Sequence, residues 1–428
     1  MTATLHQPSP ELLQGLKAGV VPESDPASLT RLDAPAEGIP EIVDQDWALR
    51  RAADALAAGT GPVAVDAERA SGFRYGLRAF LVQLRREGAG TILIDPEPFE
   101  DLAIIDEALA EAEWILHAAH QDLPCLHELS MSPRALFDTE LAARLAGLPR
   151  VGLGPVVETM MGLKLAKEHS AADWSTRPLP ESWLNYASLD VELLIPLREL
   201  MATLLEGQGK TEIARQEFEA ERVAPDPAPK QDRWRRTHGL HQLRKPVQLA
   251  AVKELWTERE QVAQHQDRAP GRLLPDSALI AAAKAMPRTV PQLLKVSGFV
   301  GRAATREAPR WVAALQRART AKELPPLHVK SSTPPPPRSW PDRHPEAAAR
   351  YETARTRLDR VATSLGMPRE NLITPAVLKQ MCWQPPTTVD LTGVSDELTR
   401  LGLRPWQVQN AAAVLTVAFL DPDPLPDR

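Results

Sequence analysis

Two proline-rich runs constrain this chain more than any other feature. Proline has no amide donor and fixes its own φ. Neither "VAPDPAPKQD" (223–232) nor "PPLHVKSSTPPPPRSWP" (325–341) can therefore continue a helix or a central strand. Both read as extended linkers. The first forty residues, with "PESDPASLTRLDAPAEGIPE", read as a flexible extension (1–40). Three blocks remain, at 41–215, 234–320 and 342–420, joined by linkers at 216–233 and 321–341 and followed by a tail at 421–428. A chain of 428 residues is longer than one hydrophobic core usually spans, so several domains are expected.

The first block mixes strand and helix patterns. "GPVAVDAE" (61–68), "AFLVQL" (79–84) and "TILIDP" (91–96) read as consecutive strands, and "PFEDLAIIDEALAEA" (98–112) as a helix. "EWILHAA" (113–119) fits a further strand. "RALFDTELAARLAG" (134–147) enters a helix that ends at Gly147, and 179–207 is helical with a break expected at Pro196. Strands followed by helices predict an α/β domain built on a mixed sheet. The later blocks read as helix throughout. In 234–320, Leu249, Val252, Leu255, Trp256 and Val262 keep helical spacing, and 342–420 repeats the rhythm, so the two blocks read as diverged copies of one helical bundle.

Charge separates the blocks more sharply than the net value of −6 suggests. Residues 230–330 carry 20 Lys+Arg against 8 Asp+Glu, residues 331–428 carry 11 of each, and the first 229 are left near −18. A basic module is a candidate phosphate-contacting surface. The two cysteines, Cys125 and Cys382, suggest no disulfide framework, and a reducing cytoplasm is expected. No apolar run reaches membrane-spanning length, and the N-terminus does not read as a signal peptide.

The chemistry concentrates in acids. Asp66 and Glu68 lie two apart on the first strand and so share a face, where like charges repel and burial is costly. A divalent cation removes that conflict: Mg²⁺ and Mn²⁺ prefer oxygen ligands, and a pair of such ions roughly 4 Å apart clamps a phosphodiester for hydrolysis. Further acids stand in suitable places. Asp122 follows the "WIL" run, and Asp190 comes four residues after Tyr186, on one helix face. His117, His120, Cys125 and His127 are close in sequence, but not in a zinc-knuckle spacing. "GQGKT" (207–211) lacks the glycine that a P-loop needs at 204, and "VGLGPVVETMMG" has Val157 where a dinucleotide fingerprint needs glycine.

D-x-E on the first strand, an Asp after a middle strand and Y-x₃-D on a late helix resemble, in that order, the DEDD exonuclease superfamily, tyrosine subclass. Within it the chain is similar to the ribonuclease D family. "FLVQL" (80–84), "FDTELAARLAG" (137–147) and "KEHSAADWSTRPLPESWLNYASLDVELLIPL" (167–197) carry the likeness, and "DW..RPL" (Asp173 to Leu179) is its specific signal. Residues 234–320 resemble the HRDC domain, a helical nucleic-acid-binding module, and 342–420 a second, diverged copy. Two departures stand out. Ala67 replaces the threonine often found between the first two acids, with little effect expected on metal binding. "RASGFRYG" (69–76) matches less well and bears on substrate contacts.

The resemblance implies a ribonuclease H-like sheet and a 3′→5′ exoribonuclease that releases nucleoside 5′-monophosphates. Asp66, Glu68, Asp122 and Asp190 would hold two Mg²⁺ or Mn²⁺ ions, with Tyr186 orienting the attacking water. Lys167, Trp174 and Arg177 are candidate nucleic-acid contacts. The expected partner is RNA with a free 3′ end, tRNA precursors first, acted on by a monomer with no membrane. The same chemistry on DNA, and a non-catalytic RNA-binding protein on the same scaffold, remain alternatives.

Overall fold

The computed structural model describes residues 8–23, 26–165, 171–228, 231–299, 301–329 and 333–425. Helix α1 (Pro10–Lys17) and strands β1 (Thr30–Leu32) and β2 (Ile42–Val43) lead into α2 (Asp46–Ala58). Three strands follow, β3 (Thr60–Arg69), β4 (Ala79–Glu87) and β5 (Gly90–Ile94). Short α3 (Ala103–Ala108), β6 (Glu113–Leu116), α4 (Leu123–His127) and β7 (Ala135–Asp138) alternate next. Helices α5 (Thr139–Ala146) and α6 (Leu153–Met161), strand β8 (Leu163–Leu165), and helices α7 (Glu181–Glu192), α8 (Leu194–Gly207) and α9 (Thr211–Arg222) complete the α/β domain.

The main sheet has six strands in the order β2-β5-β4-β3-β6-β7. β3, β4 and β5 run antiparallel, while β2, β6 and β7 are parallel to their neighbours. The mixed sheet with flanking helices is thus the architecture expected. β3 is covered on both faces. Val63, Val65 and Ala67 join the apolar cluster that includes Leu49, Leu56 and Leu102. Ala64 points the other way, into a cluster with Ile115, Val191 and Leu194 of α7 and α8. Side chains alternate along a strand, so Asp66 and Glu68 follow Ala64 onto the α7 side. The break between α7 and α8 falls at Leu193, because Pro196 has no N–H for the Glu192 carbonyl.

Several segments differ from the sequence reading. The extension at 1–40 is structured over much of its described length. Leu12, Leu13 and Leu16 pack into the cluster formed with α8, and β1 pairs with β8. Gly207 permits this approach, since a Cβ there would collide with the Leu16 carbonyl oxygen. The 98–112 helix shrinks to α3, because the chain first makes a turn in which the Phe99 amide donates to the Pro96 carbonyl at 3.1 Å, and Asp101 then caps the amide of Ala103 at 3.1 Å. α9 carries helix to Arg222, inside the 216–233 linker. In the 321–341 linker, Trp340 is fully buried and packs on Tyr351 and Trp383, with ring centroids at 5.3 and 5.0 Å.

The two helical blocks have parallel layouts. Helix Pro246–His265 is followed by Pro270–Leu273, Asp276–Ala285 and finally Ala308–Thr320; helix Pro345–Ser364 is followed by Arg369–Leu372, Pro375–Trp383 and finally Pro405–Leu420. They attach differently. The C-terminal block shares one continuous apolar cluster with α5, α8 and α9, through Leu358, Met381, Leu403 and Leu415. Glu217 on α9 is the polar hub of that junction. It accepts from Arg404 Nε and Nη2 at 2.7 and 2.6 Å and from Trp406 Nε1 at 2.6 Å. Glu217→Ala leaves the indole N–H and part of the guanidinium unpaired. We expect it to cost about 2–3 kcal/mol in denaturant unfolding of the full chain, with the denaturant midpoint lowered and the far-ultraviolet spectrum unchanged.

Candidate active site

β3 delivers Asp66 and Glu68, and α7 crosses the sheet so that Asp190 meets them. One carboxylate oxygen from each of the three lies within 4.8 Å of the other two. Tyr186, one helical turn before Asp190, hydrogen-bonds its carboxylate. Asp122 sits where β6 gives way to α4, on the same cleft but outside the three-acid group. The cleft has a volume of about 780 Å³ and takes in Asp66, Glu68, Asp122, Tyr186 and Asp190 together. All five residues singled out for chemistry in the sequence therefore meet in one place.

The electrostatics are those of crowded like charges. Burial pushes the Asp66 carboxyl above its ordinary range. Glu68 is pushed well above, by burial first and then by Asp66, Asp190 and Asp122. Asp122 is raised well above by burial and by Asp66, and Arg69 opposes both shifts. Arg69 pairs with Asp122 at 3.1 Å and donates to the Gln121 carbonyl. The Tyr186 hydroxyl is also raised, by burial and the surrounding carboxylates. An all-oxygen donor set of buried carboxylates crowded against one another fits a hard divalent cation. Asp66, Glu68 and Asp190 would hold it.

Asp122 reaches the cleft through a buried brace that sequence reasoning missed. Ala118, with φ +62°, turns the chain after β6. The Asp138 carboxylate accepts from the amides of Ala118 and Ala119 at 3.2 and 2.6 Å, and from Glu140 and Leu141 at 2.7 and 2.9 Å. It thus caps α5 and fixes the turn that carries Asp122. Glu221 on α9 faces the same carboxylate and accepts from the His120 amide at 3.2 Å. Its Oε2 has no donor among the described residues, so two acceptor-only groups meet unless a proton lies between them. With four amides directed at Asp138, that proton resides on Glu221, whose pKa is pushed up to about 8 by burial and by Asp138. The N-cap pattern of "FDTEL" could have pointed to Asp138. No local signal points to Glu221, 83 positions further along the chain.

The candidate nucleic-acid contacts need correction. Trp174 is fully buried, against Trp183 and Tyr186 with centroids at 5.3 and 6.4 Å, and presents no face to a base. Arg177 spends its donors internally, on both Asp95 oxygens at 2.5 and 2.8 Å and on the carbonyls of Phe80, Trp174 and Thr176. Trp174 backs Tyr186, and Arg177 holds the Trp174 carbonyl. Lys167 lies outside the described residues. The His/Cys group does not converge either: His117 meets Thr139, His127 pairs with Asp226, and Cys125 donates to the Asp122 carbonyl.

Residues 40–206 match the 3′-5′ exonuclease family, 248–315 the HRDC domain, and 333–419 the 3′ to 5′ exonuclease C-terminal domain. A ribonuclease D of Acidiphilium cryptum is 30% identical over 283 residues, which are 62% of this chain and 70% of that protein. The chain belongs to the ribonuclease D family. It spans about three fifths of the length of other curated ribonuclease D relatives, 61% and 62% in two cases. A crystal structure of a Bifidobacterium adolescentis protein is 38% identical, with a TM-score of 0.83 over 92% of this chain and 100% of that one. Escherichia coli RNase D, an exoribonuclease involved in structured RNA processing, shares the fold at 23% identity and a TM-score of 0.64, over 90% of this chain and 99% of that one. Among the described residues no helix is long and apolar enough to cross a membrane.

The Glu221 proton gives the ribonuclease D scaffold a pH signature. A carboxyl raised in the folded state contributes stability fully below its unfolded pKa, near 4.3, and loses it as pH rises towards 8. Glutamine can donate to Asp138 at any pH. Relative to wild type, Glu221→Gln should gain roughly 2–4 kcal/mol between pH 5 and pH 8. Urea unfolding at the two pH values checks this; an equal difference at both would place the proton elsewhere.

Proposed function

We propose that the protein is a 3′→5′ exoribonuclease that removes nucleotides one at a time as nucleoside 5′-monophosphates. The observation that carries this reading is the convergence of Asp66, Glu68 and Asp190 within 4.8 Å, with the Tyr186 hydroxyl on Asp190. Two divalent cations, Mg²⁺ or Mn²⁺, would supply charge neutralisation at the phosphate and a polarised water. Asp66, Glu68 and Asp190 would hold one, and Asp66 with Asp122 the other. Asp122 must then exchange its ion pair with Arg69 for that role. Tyr186, fixed by its hydrogen bond to Asp190, orients the attacking water. The water oxygen bonds to phosphorus, the bond to the 3′-oxygen of the preceding nucleotide breaks, and that oxygen leaves as the new 3′ hydroxyl.

The helical blocks hold the RNA body. The excess of about 12 positive charges in residues 230–330 supplies the counter-charge that an acidic domain lacks. Their parallel helix layouts support reading 342–420 as a second HRDC-like module. Structured RNA such as tRNA precursors is the proposed substrate, acted on by a monomer in the cytoplasm, where the two free cysteines stay reduced.

End-labelled RNA and the matching DNA, incubated with Mg²⁺, Mn²⁺ or EDTA, test the reading. We expect a ladder shortening from the 3′ end of RNA that EDTA abolishes, and at least roughly a thousandfold loss of rate in Asp66→Asn and Asp190→Asn with RNA binding retained. Preference for DNA would move the substrate. Full activity in either variant would remove the assigned site.

A further inference from the structure

The loop between β3 and β4, which contains the "RASGFRYG" departure, touches two things at once. Ser71, Gly72 and Phe73 line the acid cleft. The residues that follow are clasped by the HRDC module. Arg78 grips Asp267 with two hydrogen bonds of 2.8 Å, and Arg74 stands 3.6 Å from the same carboxylate. The Tyr75 amide donates to Asp267 at 3.3 Å and its hydroxyl to Glu260 at 3.4 Å. In return the module donates to the loop backbone: the Ala269 amide to the Phe73 carbonyl at 2.9 Å, and Arg272 Nε to the Gly72 carbonyl at 2.6 Å. The Arg272 guanidinium also covers the Phe73 ring at 3.9 Å. The module's side of the clasp falls within 260–272, the end of helix Pro246–His265 and the turn after it, where Asp267 has φ +45°.

This attachment differs in kind from that of the C-terminal block. Residues 333–425 share an apolar core with α5, α8 and α9 and cannot leave without exposing it. The clasp is built from ion pairs and backbone hydrogen bonds, with Tyr75 packed at the edge of the module's apolar cluster. Interfaces of that polar kind resemble transient ones, and the two domains move relative to one another once the contacts are cut. Most of its charged contacts pass through one carboxylate, Asp267, and that carboxylate acts on the loop whose first residues form the cleft wall.

We infer that Asp267 latches the HRDC module onto the β3–β4 loop and so fixes the module's basic surface beside the mouth of the acid cleft, which makes Asp267 a positioning residue for RNA long enough to reach both. This rests on the nuclease reading of the cleft. A substrate confined to the cleft touches only the loop and is indifferent to where the module sits. A longer RNA needs both surfaces held in one geometry, and loses affinity when they part.

Asp267→Asn in the full chain removes the charge while keeping a residue that tolerates positive φ. Three readouts are taken: kcat and KM with Mg²⁺ on a trinucleotide and on a long single-stranded RNA, anisotropy binding of the long RNA in EDTA, and amide exchange over 71–78. We expect KM and the metal-free Kd for the long RNA to rise roughly tenfold, kcat/KM for the trinucleotide to stay within about twofold, and exchange over the loop to quicken. Equal losses on both substrates would reduce the clasp to loop support and overturn the inference. So would unchanged long-RNA affinity with faster exchange, or unchanged exchange. If the wild-type protein cleaves neither RNA, the nuclease reading fails, and the metal-free binding and exchange arms still decide the latch.

Discussion

Three carboxylates held within 4.8 Å of one another on the covered face of a sheet repel, and the surrounding structure is what keeps them there. Loss of water on burial pushes Glu68 and Asp122 well above their ordinary range, and the neighbouring carboxylates push them further. Such a cluster persists because its two supports are rigid for other reasons. β3 is hydrogen-bonded on both sides, to β4 and β6, and packed on both faces. α7 is packed through Trp183 and Tyr186 on the buried Trp174, whose carbonyl Arg177 holds. The repulsion is a binding capacity held in place by packing, and a divalent cation is the partner whose charge and ligand preference release it.

The remaining parts of the molecule serve that centre at increasing distance. Asp138 and the proton-bearing Glu221 shape the turn that presents Asp122. The C-terminal block closes the apolar surface of α5, α8 and α9, and Gly147 lets it come close: with φ +81°, a Cβ there would strike the Gly366 carbonyl oxygen. The HRDC module attaches to the loop that leaves β3, so its position is tied to the same strand that carries Asp66 and Glu68. Domain arrangement and chemistry thus meet in one segment, residues 66–78.

The acids and the strands were legible because their signals are local. Asp66 and Glu68 are two residues apart, Tyr186 and Asp190 one helical turn, and four of the six strands, β3 to β6, follow from short apolar runs between turn residues, whereas the short β2 and β7 at the sheet edges do not. What was not legible depended on distant partners. Glu221 meets Asp138 from another helix, and nothing near it in the chain marks it. Trp174 and Arg177 lie in the most specific stretch of the sequence and were assigned to the substrate. Their chemistry is consumed inside the protein, by ring packing and by five internal acceptors, which composition cannot show. The N-terminal helix was missed because its three leucines are few, and only the groove along α8 gives them something to cover. "RASGFRYG" stood out as a departure, but its meaning lay in Asp267, nearly two hundred residues away.

Whether Asp66, Glu68 and Asp190 form a divalent-cation site that recruits Asp122 is decided by where a bound ion sits. The most direct test is an anomalous difference map from crystals of the full chain soaked in Mn²⁺. A strong peak is expected among the three acids and a second roughly 4 Å away between Asp66 and Asp122, with the Arg69 pair to Asp122 broken. An empty acid cluster at saturating Mn²⁺, with the Arg69–Asp122 pair intact, would contradict it.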